Sequence, residues 1–179
     1  MDNEKAKTIA RESGFEHVGS LDVGGLEFRQ DIRDMCNPEA CTQGYGKSWS
    51  CPPEAPPLEE LRDKAEKYRQ GIIVQTIGQL EDSFDFAGIM EAGGRHMKAF
   101  NRLADVLFDE TGGQMLPLGA GPCSLCSECT YPDSSCRLPD RRITSMEASG
   151  LFVSQVCKAN SLEYNNGENT MTFTSCCLY

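Results

Sequence analysis

Hydrophobic residues recur along the chain at two spacings, and these spacings predict the order of helices and strands. Apolar positions follow one another every three or four residues over 3–13, 58–68 and 95–109. This period is typical of helices that bury one face. Short apolar or alternating runs at 71–78 and 170–179 instead predict strands.

Shorter segments complete the order. His17–Val23 and Met115–Gly119 predict two more strands, and Pro117 indicates an edge or an interruption in the second. Residues 28–36 have helical spacing.

A last helical segment is predicted after the second cysteine-rich stretch. Thr144 and Glu147 have the spacing of a capping box. They predict a helix or a pair of helical turns that reaches Asn160, with an interruption near Gly150.

Strands that alternate with helices are typical of α/β folds, so we predict helices packed on a small mixed or largely parallel sheet. A length of 179 residues suits a single domain over 1–179. Two stretches, 36–57 and 119–139, are rich in Cys, Gly and Pro, and we predict that they are metal-binding loops.

Composition narrows the functional classes. The chain has 27 acidic and 17 basic residues, and its net charge of −10 argues against a nucleic-acid partner. Its apolar runs are shorter than the roughly 18 residues that a membrane span needs. The first residues lack the basic and apolar regions of a signal peptide, so we expect a cytoplasmic location with reduced thiols. Ten cysteines in that setting favour metal or redox chemistry.

The strongest motif has the spacing C-x2-C-x2-C-x6-C and consists of Cys123, Cys126, Cys129 and Cys136. Thiolates at successive three-residue steps suit a [4Fe–4S] cluster, and ferredoxin-type sequences begin with the same steps. Cys136 either closes this site or serves another cluster. Zinc is the main alternative, although tetrahedral zinc usually takes two separated Cys or His pairs. A group of thiols without metal is the third interpretation.

A second group, Cys36-x4-Cys41-x9-Cys51, lies in the sequence CNPEACTQGYGKSWSCPP. Its glycines permit tight turns, and we expect Tyr45 or Trp49 to cover the thiols. Three protein ligands would leave one position open for a substrate, a small thiol or a distant cysteine. The alternative is a buried loop whose cysteines pack as small core residues.

The remaining cysteines are weaker candidates for metal ligands. Cys157 lies in an apolar stretch and is interpreted as a core residue. Cys176 and Cys177 are adjacent on a predicted strand, so their side chains point to opposite faces. One of them would serve as the distant fourth ligand of the three-cysteine group, or both pack in the core.

Charged and imidazole side chains also have competing interpretations. Arg137, Arg141 and Arg142 would offset the charge of a thiolate-ligated cluster or attract an anionic partner, or they lie on a solvated loop. Each of the two histidines, His17 and His96, is interpreted as a surface or core residue rather than a ligand.

Both cysteine motifs, together with the segment SMEASGLFV, resemble the "predicted metal-binding protein" family, domain-of-unknown-function family number 2284. The resemblance covers nearly the whole chain, and the pairing of C…C…YGK.W.CPP with GPC.LC..C……CR.P is specific. It implies that all seven cysteines of the two motifs are metal ligands, and it implies a metal without a particular reaction. Members of this family are typical of anaerobic bacteria and archaea.

We therefore expect an iron–sulfur protein of an anaerobic cytoplasm that holds one [4Fe–4S] cluster, or two, and exchanges electrons with a redox partner protein. One alternative is an enzyme that uses an open iron at the three-cysteine site as a Lewis acid or sulfur acceptor. The other is a zinc-stabilised structural or binding module.

Overall fold

A five-stranded sheet runs through the centre of the computed structural model, which describes residues 1–42 and 44–179. Its strand order is β1-β2-β5-β3-β4. Within the described residues the pairing is antiparallel except between β3 and β4. The sheet is therefore mixed, as the first of the two alternatives predicts, and it is mainly antiparallel rather than largely parallel. The strands are β1 (His17–Ser20), β2 (Gly71–Gln79), β3 (Leu116–Gly119), β4 (Thr144–Ser145) and β5 (Thr170–Leu178).

Helices cover both faces of this sheet, which confirms the α/β class. On β2, Ile72 and Val74 face α1 and α4, whereas Ile73 between them faces α3 and α5. This alternation follows from the two-residue period of a strand and gives the fold an apolar core on each face. The helices are α1 (Asn3–Glu12), α2 (Gln30–Arg33), α3 (Leu58–Ala65), α4 (Phe86–Glu110) and α5 (Val153–Ala159), with a 3₁₀ turn at Val23–Gly25. In the described part of the chain, no helix is both long and apolar enough to span a bilayer.

The helix α4 begins well before its predicted start at Arg95. Asp85 caps it, because its side chain accepts a hydrogen bond from a backbone N–H of the first turn. Glycines in the early part of the helix weaken the local helical signal. Close packing of α4 on β2 compensates for their low helix propensity. The Cβ of Ala92 lies 2.5 Å from the point that a Cβ on Gly78 would occupy. Only a glycine in β2 lets the helix approach so closely.

The segment after the second cysteine motif also differs from the prediction. Thr144 lies in β4 rather than at the start of a helix, and α5 begins only at Val153. The hydroxyl of Ser145 accepts the N–H of Ala148 at 3.0 Å, which stabilises a turn instead of a continuing helix. The prediction of a continuous helix from Thr144 is therefore wrong. The alternative of two helical segments with an interruption near Gly150 agrees with the structure, because the N–H of Ser149 donates to the carbonyl of Ser145 at 2.9 Å and α5 ends at Ala159.

Candidate metal centre

The four cysteines of the longer motif line one surface cavity beyond the end of β3. Its volume is about 30 Å³. Cys129 is exposed and the other three are half-buried. Six further residues complete the wall: Ser48, Trp49, Ser50, Thr130, Arg137 and Arg142. The fold thus brings side chains that are up to thirteen positions apart, from Cys123 to Cys136, to a common surface.

Side-chain hydrogen bonds hold this loop in place. The amide nitrogen of Asn101, on α4, donates to two oxygens of Ser124. The backbone carbonyl oxygen lies at 3.1 Å and the side-chain hydroxyl at 3.0 Å. Arg137 donates to the carbonyl of Glu128 at 2.7 Å. Asn101 therefore attaches the start of the loop to α4, and Arg137 stabilises the loop near its other end.

The three-cysteine loop starts where α2 ends. The N–H of Cys36 donates to the carbonyl of Arg33, and the side-chain oxygen of Asn37 accepts N–H groups from Glu39 and Ala40. The turn made by Asn37 is typical of asparagine, whose short side chain folds back on its own backbone. It carries the chain from Cys36 to Cys41. The predicted helix over 28–36 is consequently shorter, because the chain turns away after Arg33.

Two sulfurs of this loop lie near Gly44. A Cβ placed on Gly44 would lie 2.8 Å from the sulfur of Cys51 and 3.6 Å from that of Cys41. It would also lie 3.1 Å from Cγ of Pro122, which directly precedes the four-cysteine motif. The absence of a side chain at Gly44 therefore leaves room for both sulfurs and for Pro122 of the second loop.

The third thiol, Cys36, is influenced by the charges of the other two. The pKa of Cys36 is raised to about 11, mainly because the surrounding protein desolvates the thiol. Glu147, Cys41 and Cys51 contribute to the increase, while Arg33 opposes it. Burial also raises the pKa of Cys51. Without a metal, Cys36 and Cys51 therefore stay protonated at neutral pH, and a metal ion would have to displace their protons.

The two cysteine groups adjoin each other at Ser50. Its hydroxyl accepts the N–H of Cys123 at 3.0 Å and lies 3.9 Å from the sulfur of Cys51. Trp49, one of the two aromatic residues expected over the three thiols, lines the cavity of the four-cysteine group. The short segment from Ser48 to Cys51 thus contributes to both groups.

The donor set of both groups fits a soft metal or an iron–sulfur cluster. All seven side chains are free thiols, and thiolates select such metals over the hard cations that prefer oxygen. Over residues 1–42 and 44–179, no three or more His, Cys, Asp or Glu side chains already stand in an arrangement that would hold a metal ion. The assignment of the seven cysteines as ligands stays a prediction.

The other cysteines lie in the core. Cys157 is fully buried, as predicted. Cys176 packs with Cys157 on one face of the sheet and Cys177 with Ile72 on the other, which confirms that neighbouring strand residues face opposite ways. Both are inaccessible to solvent, so the structure favours core packing over the distant-ligand alternative.

His96 is also a core residue. Its ring nitrogens pair with the hydroxyls of Thr76 at 2.9 Å and Ser175 at 2.7 Å. Burial lowers the pKa of His96 to about 4, so the imidazole is neutral at physiological pH. His17 lies exposed in β1. Both positions agree with the structural interpretation of the histidines.

The three arginines near the motif differ in role. Arg141 pairs with Asp105 and Asp109, each at 3.0 Å, and its guanidinium carbon lies 4.2 Å from the ring centre of Phe108. It therefore fastens the loop to α4. Arg137 and Arg142 instead line the cavity with the four cysteines.

Several residues of the site carry no local signal. Ser50 and Asn101 contact residues that lie 73 and 23 positions away in the chain. Glu147 contributes to the raised pKa of Cys36, yet its spacing from Thr144 predicts a helix start. The only pointer to Ser50 is its position next to Cys51.

Fold and site together define a cysteine-rich α/β protein in which the four-cysteine group and the three-cysteine group lie side by side. The family described as "Predicted metal-binding protein (DUF2284)" matches residues 19–179, so the chain belongs to that family. Comparison with curated proteins and with solved structures gave no significant match.

Proposed function

We propose that this protein binds at least one [4Fe–4S] cluster through Cys123, Cys126, Cys129 and Cys136 and takes part in electron transfer in an anaerobic cytoplasm. The observation that carries the proposal is the common cavity that these four thiols line. Membership of a metal-binding family supports a metal at this position. A cluster held there would accept and release single electrons.

The residues around the cavity suit this role. Cys129 is exposed, which leaves a short path to a redox partner, and Arg137 and Arg142 supply positive charge beside the thiolates. Charge, hydrogen bonding and exposure are the factors by which a protein sets a cluster's reduction potential. The proposed partner is a redox protein.

A second candidate function is an enzyme in which the three-cysteine group holds a cluster with an open iron, acting as a Lewis acid or sulfur acceptor. The position of the Cys41 and Cys51 sulfurs, both near Gly44, favours it. A zinc-stabilised module is the remaining alternative, because four thiolates also satisfy a structural zinc.

Anaerobic purification followed by iron, zinc and acid-labile sulfide analysis tests the proposal. We expect brown protein with about four irons per bound cluster and an electron paramagnetic resonance signal after dithionite reduction. Eight irons would favour the second cluster. Colourless protein with stoichiometric zinc would overturn the iron assignment.

A matched pair of variants assigns the cluster to its ligands. Cys126→Ser should lower iron and sulfide together, since it removes one thiolate of the cavity. Ser127→Ala changes an exposed neighbour in the same loop and should retain both. Cys157→Ser, in the core, controls for the loss of any cysteine. Iron that is unchanged in Cys126→Ser would contradict the site.

A further inference from the structure

The buried turn from Ser48 to Cys51 forms part of both cysteine groups. Ser48, Trp49 and Ser50 line the cavity of the four-cysteine group, while Cys51 belongs to the three-cysteine group. Ser50 is 1% exposed and stands between them. A metal bound at either group would therefore act on the same few residues.

The hydroxyl of Ser50 has a limited set of hydrogen bonds. A serine hydroxyl donates one proton and accepts through two lone pairs. At Ser50 the oxygen accepts the N–H of Cys123 at 3.0 Å. Its own proton then has two acceptors within reach, the hydroxyl of Ser48 at 3.0 Å and the sulfur of Cys51 at 3.9 Å.

Metal binding would decide between these two acceptors. A metal-bound sulfur carries more negative charge than a thiol and attracts a donor more strongly. Once Ser50 donates to Cys51, its oxygen becomes a better acceptor for Cys123, because linked hydrogen bonds polarise one another. The backbone at the start of the four-cysteine motif is then held more firmly.

We propose that Ser50 is a positioning residue that couples the two cysteine groups, so that a metal ion bound at one group raises the affinity of the other. The inference rests on the metal binding proposed above and adds an interaction between the sites. The first ion orders the shared turn, and the second then loses less conformational entropy on binding. Thermodynamic linkage requires that metal at either group raise the affinity of the other by the same factor.

Anaerobic titration of the reduced, full-length, metal-free chain with Co²⁺ tests the coupling, because cobalt–thiolate absorption reports binding without any activity. Replacement of both Cys126 and Cys129 by serine leaves two thiols on the cavity and isolates the three-cysteine group, and Cys41→Ser isolates the four-cysteine group. The sum of these two isotherms describes independent sites. Wild-type protein should bind Co²⁺ with an apparent affinity about fivefold higher than independent sites would give. A factor of five is at the lower end of common coupling factors.

The Ser50→Ala variant in the wild-type background should return the isotherm to the sum of independent sites. Ser13→Ala is the matched control, since Ser13 is another buried serine and its hydroxyl donates to the carbonyl of Ile9 in α1. It should retain the full coupling. Circular dichroism shows whether each variant is folded.

The outcomes separate this inference from the proposed function. A wild-type isotherm equal to the sum of the single groups overturns the coupling and leaves both metal sites in place. Coupling that survives in folded Ser50→Ala overturns the role of Ser50. Cobalt uptake that is unchanged in both isolating variants contradicts the metal sites themselves. If Ser50→Ala does not fold, the additivity comparison still decides whether the sites interact.

Discussion

The indole nitrogen of Trp49 donates a hydrogen bond to the backbone carbonyl of Ser134, with 3.0 Å between the two atoms. The same ring meets Tyr131 edge-on, with 5.0 Å between the ring centres. Trp49 belongs to the loop of the three-cysteine group, whereas Ser134 and Tyr131 belong to the loop of the four-cysteine group. The indole therefore fastens the two loops to each other.

Trp49→Phe should weaken this connection while keeping most of the aromatic contact. The variant loses one side-chain hydrogen bond, so we expect the free energy of unfolding to fall by about 1 kcal/mol. Urea unfolding followed by circular dichroism measures the change. Tyr164→Phe, which alters an aromatic residue that is 51% exposed, should leave the free energy unchanged. Equal stability of both variants would show that the indole bond does not hold the loops.

Gly44→Ala should perturb the three-cysteine group. The added methyl would lie 2.8 Å from the sulfur of Cys51 and 3.1 Å from Cγ of Pro122, both closer than van der Waals contact. We expect a loss of about 1–3 kcal/mol in the free energy of unfolding, as is typical of overpacking. Metal bound by Cys36, Cys41 and Cys51 should fall at the same time. Elemental analysis beside urea unfolding checks both effects.

Gly94→Ala is the control for that substitution. Gly94 lies within α4, and a Cβ there would have no neighbouring atom within 4 Å. Alanine is favoured over glycine in a helix by about 1 kcal/mol, so this variant should be at least as stable as the wild type. Metal content that falls equally in both variants would count against a local effect at Gly44.

Local pattern predicted the sheet better than it predicted the helices. The strand β2 follows the predicted run almost residue for residue, because Ile72, Ile73 and Val74 are buried between two helical layers. The early part of α4 escaped prediction since its glycines have low helix propensity and its stabilising contact, Ala92 on Gly78, comes from another element. Tertiary packing outweighs local preference there.

The candidate site also has residues that the sequence predicts and residues that it does not. The spacing of Cys123, Cys126 and Cys129 alone predicts a common site, and the structure places these thiols on one cavity. The contact of Ser50 with Cys123 depends on how two distant loops meet, so no spacing in the sequence can indicate it. Ligand candidates are thus readable from the motif, while the residues that position them are not.

Arg142→Gln should lower the reduction potential of a cluster bound in the four-cysteine cavity. Arg142 lines that cavity, and removal of its positive charge makes the addition of an electron less favourable. We expect a decrease on the order of 50 mV, which corresponds to about 1 kcal/mol for one electron. A dithionite titration monitored by electron paramagnetic resonance measures it.

Arg141→Gln separates charge from general damage to the loop. Arg141 contacts Asp105, Asp109 and the ring of Phe108, so its loss should lower the free energy of unfolding by about 1 kcal/mol. Because carboxylates already offset its charge, the potential should change less than in Arg142→Gln. Equal shifts in both variants would contradict a specific role for Arg142.

His96 should make the protein sensitive to acid. Burial lowers its pKa to about 4 in the folded state, whereas an unfolded histidine has a pKa of about 6.5. Between these values the unfolded chain binds more protons, so stability rises with pH and falls as the pH decreases from about 6.5 to 4. The difference amounts to about 3 kcal/mol in the free energy of unfolding. Urea unfolding at closely spaced pH values measures it.

Substitution of the two histidines attributes this acid sensitivity to one side chain. His96→Gln removes the titrating group, so the decline from pH 6.5 to 4 should become smaller, although loss of the imidazole contacts with Thr76 and Ser175 lowers stability at every pH. His17→Gln changes an exposed residue and should keep the wild-type profile. Nuclear magnetic resonance of the imidazole C–H protons gives an independent reading. A His96 resonance that titrates near pH 6.5 would mean that the folded core accepts the charged ring, and the acid-dependent loss of stability would then come from other groups.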